Sequence, residues 1–449
     1  MRITRRRFLQ GVGATGALAA VGCGSKGVSN GGVDGGPIIP PISVPARPIL
    51  VVVDIDGGND WLNMMPPVSG ANRGAYDSKR PSLAIPVAQA TPLANGAGLN
   101  TDLTGMDELS AEGRVAWIPG IGMNNPNLSH FVSIALWGQG AAQPSGTGWL
   151  GRFADRAFDT RGDVLRGLTV TSDQPLMLRG ATRSFVSITS SSGFVYPSLL
   201  RSGRVGSPYS PQLLEDEFAA AVTSTAADPA SAPDYEAAAI SGKLFLDAQN
   251  GFGTDGNLPA RTPSVPYPGD ADFPIKRTGG GNLSSTLSNQ FKLIAQMLAA
   301  GLPTEVFFTR LGGFDTHSNQ LADHPNLMRA LGGSISAFYD DLASIQTADG
   351  NAQDRVMILA WSEFGRRVAE NKGGTDHGTA GLAFCVGKAV KGGFYGDYPD
   401  LTDLDRNGNM KFTKDFRSLY ATVLDRWLGQ ATTATDAMLG SSYPRLGFL

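Results

Sequence analysis

Six short apolar segments, each bounded by turn residues, place the strongest constraint on how this chain can fold. They are rich in β-branched and aromatic residues and are apolar on both faces, without strict alternation of apolar and polar positions. Strands of this kind are typical of a parallel sheet that helices cover on both sides. The segments are residues 48–54, 114–119, 167–172, 304–311, 355–361 and 382–387.

Helical patterns alternate with these segments. Residues 284–300 and 324–346 each carry an apolar stripe with a spacing of three and four residues, and Gly301 follows the first as a stop signal. Asp415 is placed to cap a last helix that ends before Gly429. The order strand, helix, strand predicts an α/β fold built on one mostly parallel sheet.

The N-terminus has the pattern of an export signal. Arg5 and Arg6 precede Phe8 and Leu9, and residues 11–22 form a weakly apolar stretch. This stretch is too short to span a bilayer of about 30 Å but is typical of a signal peptide. The paired arginines predict recognition by the twin-arginine translocase.

Cys23 follows small residues, as an acylated lipoprotein cysteine does, although the usual Leu three positions earlier is absent. The sequence therefore predicts a signal peptide over residues 1–22 and a lipid anchor at Cys23; a plain cleaved signal is the alternative. Residues 23–46 are rich in Gly, Pro and Ser and predict a flexible tether. We expect a single large domain over residues 47–449, with an insertion at about 205–283, in the periplasm or held at the membrane of the bacterial envelope.

The charge of the chain argues against nucleic-acid binding. Without the basic signal, 33 Lys and Arg residues stand against 40 Asp and Glu residues, and no basic cluster remains. A phosphate backbone is bound by an excess of positive charge on one face. The sequence therefore predicts no nucleic-acid partner.

Histidine is the most informative residue type, because the chain has only four. Three lie in short polar motifs that we expect just after strands, where open α/β sheets bind ligands. His130 is in "NLSHF", His317 follows Asp315 in "GGFDTHSN", and His377 follows Asp376 in "GGTDHGTAG". His324, near the start of a helix, is expected to be structural or exposed.

Imidazole and carboxylate groups in these motifs suit zinc or a similar divalent ion, with manganese as the other choice. Glu363, after the strand at 355–361, and Asp60, after the first strand, are further candidate ligands. Each motif alone is also common turn chemistry. Several such motifs after separate strands predict one shared site.

Ser129 and His130 are candidate catalytic residues. Asn127 is placed to cap a helix over residues 128–137, which would put Ser129 in a first turn whose free N–H groups favour an anion. A serine there can act as a nucleophile toward a phosphate or sulfate ester. A simple capping serine is the alternative.

Together, the motifs resemble those of the DUF1501 family of exported bacterial proteins. The resemblance covers roughly residues 47–449 and rests on "GGNDWLN", "SHF", "TGWLGR", "GGFDTHSNQ", "WSEFGRRVAEN", "GGTDHGTAG", "VKGGFYGDYPDL" and "DFRSLYATVLDRWLG". The family is similar to a distant branch of the alkaline phosphatase and sulfatase superfamily. The resemblance implies an α/β/α sandwich with a metal-dependent site at the strand ends.

The resemblance also implies roles for single residues. Asp60 would stand at the first-strand metal position, with Asp56 as a competing choice, and Ser129 would stand near the nucleophile position beside His130. The other implied ligands are Asp315, His317, Glu363, Asp376 and His377. The chain departs from alkaline phosphatases where it has Glu363-Phe364 in place of Asp-His, and where Asp315 and His317 are two rather than four apart.

Two functions agree with this sequence. The first is a metal-dependent hydrolase of phosphate or sulfate esters in the cell envelope, with a small anionic ester as substrate. The second is a non-catalytic envelope protein that uses the same fold to bind a metal or a partner. Arg366 or Arg367 could pair with the anion in the first case.

Overall fold

The structure is a computed structural model. It describes residues 47–141, 146–158, 164–183, 185–192, 257–269 and 284–449, with Ala220, Phe252 and Asp272 as single residues. The predicted signal, Cys23 and the tether lie outside the described residues, as does most of the predicted insertion. Residues 44–194 and 257–449 form one compact unit, and the features below belong to it.

The described helices have these bounds: α1 Trp61–Met64, α2 Gly70–Lys79, α3 Met106–Ala111, α4 His130–Gln139, α5 Trp149–Ala157, α6 Ser284–Ala299, α7 Gln320–Leu342, α8 Ala352–Arg355, α9 Phe416–Thr422 and α10 Thr432–Leu439. A π-helical turn, Val423–Trp427, continues α9. Short 3₁₀ turns span Val87–Gln89, Ala94–Gly96, Val164–Arg166 and Leu176–Leu178. No helix among the described residues combines the length and the apolar character that crossing a membrane requires.

The strands are β1 Ile49–Asp56, β2 Ala90–Pro92, β3 Gly98–Asn100, β4 Val115–Gly122, β5 Gly167–Thr169, β6 Val186–Ser187, β7 Val306–Gly312, β8 Gln346–Thr347, β9 Gly350–Asn351, β10 Val356–Trp361, β11 Gly365–Glu370, β12 Thr375–Gly378, β13 Gly381–Val386, β14 Gly393–Phe394 and β15 Lys414–Asp415. The central sheet has the order β14-β4-β13-β10-β1-β7-β5-β6, and β15 also pairs with β4. The predicted α/β fold with a large, mostly parallel sheet is confirmed.

All six predicted strands are present, but β13 runs against its neighbours. It pairs antiparallel with both β10 and β4, whereas β1 pairs parallel with β10 and β7. The start of β13 therefore lies at the edge where the parallel strands end, and Gly381 stands opposite Ile121 of β4. Residues just before β13 reach the same edge as residues just after β1, β7 and β10.

The core lies on both faces of the sheet. Seven of the eight residues of β1 and all six of β10 are buried, which requires cover from both sides. Phe291 of α6 stacks on Phe338 of α7 with ring centroids 4.5 Å apart. Trp137 of α4 stacks on Trp361 at the end of β10 and on Phe416 of α9. These contacts fix α4 against the strand end that carries Glu363.

Candidate metal centre

Several predicted side chains meet at the carboxyl-end edge of the sheet. The Nε2 atoms of His317 and His377 are 2.9 Å apart, and His377 Nε2 is 3.1 Å from Asp315 Oδ1. Asp376 Oδ1 lies 3.4 Å from His317 Nδ1. The structure thus brings together residues from separate segments of the chain: His130, Asp315, His317, Glu363, Asp376 and His377. Their roles as ligands stay predictions.

His130, Asp315 and His377 are the set best placed to hold a metal ion. One ligand atom from each lies within 4.8 Å of the other two. His130 Nε2 is 3.5 Å from Asp315 Oδ2. Around a tetrahedral zinc ion, ligand atoms at the usual bond lengths are about 3.3 Å apart. The separations of these atoms therefore fit a shared divalent ion.

His130 presents a free nitrogen toward this set. Its Nδ1 donates to Glu363 Oε1 over 2.7 Å, which leaves the lone pair on Nε2. That Nε2 atom is buried and has no hydrogen-bond partner. A buried nitrogen without a partner costs free energy that a bound cation would offset. The donor set therefore fits a metal ion, and His130 is a candidate ligand rather than only a catalytic base.

His377 is oriented in the same way. Its Nδ1 donates to the backbone carbonyl of Leu128 over 2.8 Å, and its Nε2 faces Asp315. Ligating histidines in metalloproteins usually donate their second nitrogen to a carbonyl or carboxylate, which fixes the tautomer. Burial lowers the pKa of His377, which favours the neutral, metal-binding form.

Glu363 lies behind His130 rather than among the free ligand atoms. Its side chain is 1% exposed. Its carboxylate accepts hydrogen bonds from the backbone N–H of Gly57 and from the hydroxyl of Ser362, in addition to His130. In this geometry Glu363 orients the imidazole of His130, and its role as a direct ligand stays a prediction.

Asp60 does not present its carboxylate to the cluster. It is fully buried, and Arg80 forms a two-pronged ion pair with it at 2.6 and 2.9 Å. Gln320 also donates to it. Both oxygens of Asp60 already have buried partners in this geometry, and its role as a metal ligand stays a prediction. Asp56, the competing choice, is partly exposed, and burial followed by the charge of Glu363 raises its pKa.

Arg366 connects the loops that carry the site. Its guanidinium is fully buried and donates to the carbonyls of Gly57, Gly58, Phe314 and Thr375 and to Asp315 Oδ1. These bonds occupy its donors, so Arg366 does not have the free fork that recognition of an anion requires. The expectation that Arg366 binds the substrate is replaced by a structural role.

The charge of Asp315 is held in the ionised form. Burial alone would raise its pKa, but the hydrogen bond from Arg366 and the contact with His377 outweigh it and lower the pKa to about 2. The side chain is 47% exposed, so the site is open to solvent. Asp315 therefore stays a charged, accessible candidate ligand across the physiological range.

Two glycines allow the loops to approach this closely. Gly57 has φ +123°, and a Cβ there would lie 2.4 Å from the backbone nitrogen of Asp315. A Cβ on Gly374 would lie 2.1 Å from the carbonyl oxygen of Thr316. Glycine is the residue that fits such contacts, because it has no Cβ.

Ser129 is exposed at the N-cap of α4, which begins at His130 and not at Leu128. Its hydroxyl makes no capping hydrogen bond. Instead, Asn127 Oδ1 accepts from the backbone N–H of Ser129. The hydroxyl is therefore not committed to capping, which was the alternative interpretation of this serine.

His324 is structural. It is 1% exposed, and its Nε2 hydrogen-bonds with Asn59 Oδ1 over 2.9 Å. Burial lowers its pKa to about 4.

The sequence interpretation missed the supporting residues. Asn371 donates to Asp376, and Ser133 donates to the carbonyl of Glu363. Arg366 and Val368 share the buried side of β11, while Arg367 is partly exposed. The period-two pattern of that strand is the signal that separates the two arginines.

The DUF1501 family model, described as a protein of unknown function, matches residues 277–441. Over this region the chain is similar to the DUF1501 family. The match includes the motifs of Asp315, His317, Glu363, Asp376 and His377, and it confirms the resemblance recognised in the sequence. None of the curated proteins compared with the chain matches it.

Solved structures of the alkaline phosphatase and sulfatase superfamily are similar in fold at low identity. A superfamily member from Vibrio parahaemolyticus is 8% identical, with a TM-score of 0.37 over 86% of this chain and 67% of that one. The alkaline phosphatase PafA is 8% identical, with a TM-score of 0.31 over 72% and 63%. The periplasmic domain of EcEptC from Escherichia coli, in complex with zinc, is 9% identical, with a TM-score of 0.30 over 88% of each chain.

Proposed function

We propose that this protein is a divalent-metal-dependent hydrolase of phosphate or sulfate esters that works in the bacterial cell envelope. The observation that carries the proposal is the arrangement of His130, Asp315 and His377. Two imidazoles have their Nδ1 atoms bonded to Glu363 and to a carbonyl, so their Nε2 atoms face an ionised carboxylate. Imidazole and carboxylate donors suit zinc or manganese.

A divalent ion bound by these residues would polarise the ester oxygens and lower the pKa of the attacking hydroxyl or water. His317 lies beside the set, with Nε2 close to both His377 and Asp315, and is a further ligand or a group that contacts the ester. Asp376 contacts His317 from the outer side and orients it.

Ser129 is the proposed nucleophile. It precedes His130 directly, it is exposed, and its hydroxyl is not used for capping. The first-turn N–H groups of α4 have no partners within the helix and favour negative charge at this position. They would donate to the ester oxygens as charge develops on them.

The place of action is part of the proposal. The twin-arginine motif with Arg5 and Arg6, and the acylation motif at Cys23, support export and anchoring to a membrane of the envelope.

The test measures turnover of 4-nitrophenyl phosphate and 4-nitrophenyl sulfate by the purified protein, after chelation and after zinc or manganese is restored. We expect metal-dependent turnover of at least one ester. Asp315→Asn should abolish metal binding and turnover, and Ser129→Ala should abolish turnover but keep the metal. Asp77→Asn and Ser78→Ala are the matched controls, since both lie on the exposed side of α2.

Metal binding without turnover of either ester would overturn the catalytic proposal and favour the non-catalytic function. Turnover that survives chelation, or that Asp315→Asn leaves unchanged, would overturn the metal dependence.

A further inference from the structure

A cavity of about 830 Å³ opens at the carboxyl-end edge of the central sheet. The described residues that line it come from the carboxyl ends of four neighbouring parallel strands, β1, β7, β5 and β6, and from one side of α6. Ligands of open α/β sheets bind at this edge. The volume is within the range of small-molecule sites.

Hydroxyl and amide groups dominate the lining. Ser172, Ser190 and Thr189 follow the short strands β5 and β6, and Asn289 projects from the exposed side of α6. The only apolar side chains among the described lining residues are Val170 and Leu293. A lipid or an aromatic ligand would require a mainly apolar wall, so the lining favours a ligand with many hydroxyl groups.

The side of α6 that faces the cavity is separate from its core side. Its cavity-lining positions recur with the helical spacing of three and four, whereas Leu287, Phe291 and Ile294 are buried in the core. The residues of α6 that line the cavity are polar or charged except for Leu293: Thr286, Asn289, Gln290, Lys292, Leu293 and Gln296. Helix α6 thus packs its apolar side against the core and presents its other side to the cavity.

The charges of the lining cancel. Arg310 lies between two carboxylates, with Nε 2.8 Å from Asp54 and Nη1 2.7 Å from Asp173. Asp56 and Lys292 add one charge of each sign to those of Asp173 and Arg310. Arg310 is held by its two carboxylate partners, and the charges of the lining residues sum to zero. The cavity therefore does not select an anion, and the part of the ligand that binds here is neutral.

One residue of the cavity lining is hydrogen-bonded to the segment that carries Asp315. Asp56 lines it, and the backbone carbonyl of Asp56 accepts from the N–H of Phe314, the residue before Asp315. One ligand could therefore place a neutral part in the cavity and a charged ester at the metal centre.

We propose that this cavity binds the sugar part of a glycan, and that the ester which the protein hydrolyses is carried on that glycan. The second half rests on the proposed function; the first half does not. The hydroxyls of the sugar would bond with Asn289, Ser172 and Ser190.

The experiment titrates the purified protein with maltotetraose, cellotetraose and chitotetraose by isothermal titration calorimetry. Binding does not require turnover, so its outcome is independent of the hydrolase proposal. We expect binding of at least one tetrasaccharide. Asn289→Leu keeps the side-chain size but removes the hydrogen-bonding groups, and it should weaken binding about tenfold.

Asn326→Leu, on the surface of α7, is the matched control and should bind as the parent does. Asn289 is exposed, so the melting temperature of Asn289→Leu should equal that of the parent. Absence of binding to all three tetrasaccharides, or equal affinities of Asn289→Leu and Asn326→Leu, would overturn the proposal. Turnover of the aryl esters without sugar binding would refute the cavity proposal alone, and sugar binding without turnover would refute the hydrolase alone.

Discussion

Glu363 Oε1 accepts a hydrogen bond from His130 Nδ1 over 2.7 Å, and this contact joins residues 233 positions apart. The carboxylate is buried, while the imidazole is partly exposed. The hydrogen bond that His130 donates to Glu363 raises the pKa of His130 and selects the tautomer whose Nε2 faces Asp315. Glu363 thus determines which nitrogen of His130 is available to a metal.

Glu363→Gln tests this relationship. The amide keeps the size of the side chain but removes the charge that holds the imidazole, so we expect zinc affinity to fall about tenfold or more. A zinc titration against a competing chelator measures the change. Glu370→Gln, which removes a carboxylate bonded to Ser82 and Leu83, is the control and should bind zinc as the parent does. Equal affinities of the two variants would contradict the orienting role.

Asp60→Asn separates structural from metal-binding carboxylates. The change leaves the charge of Arg80 buried without its partner, so we expect the free energy of unfolding to fall by about 3–5 kcal/mol. Zinc affinity should not change. Denaturant unfolding and a zinc titration provide the two measurements.

Asp77→Asn is the control for this prediction, because it removes a partly exposed ion pair with Arg73. Such pairs contribute about 0–1 kcal/mol. Loss of zinc binding in Asp60→Asn, with stability retained, would show that Asp60 is a metal ligand and not a structural carboxylate.

Because His324 is buried, we expect the free energy of unfolding to fall in acid. Its folded-state pKa is about 4, below the ordinary value of 6.5, so the unfolded chain takes up the proton first. Its contribution to stability is therefore complete above about pH 6.5 and is lost as the pH falls toward about 4, by roughly 2–4 kcal/mol. His324→Gln removes this titration and should show a smaller decrease between pH ~7 and ~4.5 in the presence of chelator.

Unfolding curves of the parent and of His324→Gln at several pH values measure the difference. Both proteins contain the same carboxylates, so the titration of those groups cancels in the comparison. Parallel pH profiles would show that His324 does not titrate between the folded and unfolded states.

Export and anchoring can be tested separately. Arg5→Lys with Arg6→Lys should leave the precursor in the cytoplasm, because the twin-arginine route reads the arginine pair. Cys23→Ala should release a soluble periplasmic protein. Cell fractionation measures both, and a Cys23→Ala protein that stays with the membranes would contradict lipid anchoring.

Local patterns in the sequence predicted the main strands and helices and the polar motifs of the site. A strand buried on both faces appears in the sequence as a short apolar run, and an amphipathic helix appears as apolar residues spaced three and four apart. These patterns predicted β1, β7 and β10 and the helices α6 and α7. The scarcity of histidine and its Asp-x-His and Asp-His contexts identified Asp315, His317 and His377. These are local signals, because side-chain type and spacing carry them.

The contacts of each side chain depend on the tertiary structure and could not be predicted from local patterns. Asp60 and Asp315 both follow a strand near glycines, but Arg80 from α2's end meets the first, whereas the second faces two imidazoles. Arg366 and Arg367 are neighbours in the sequence, but only Arg366 lies on the buried side of β11. There it donates to backbone carbonyls of three other segments. Such pairings join residues up to about 300 positions apart, and they depend on strand order and on the direction of β13, which no local pattern encodes.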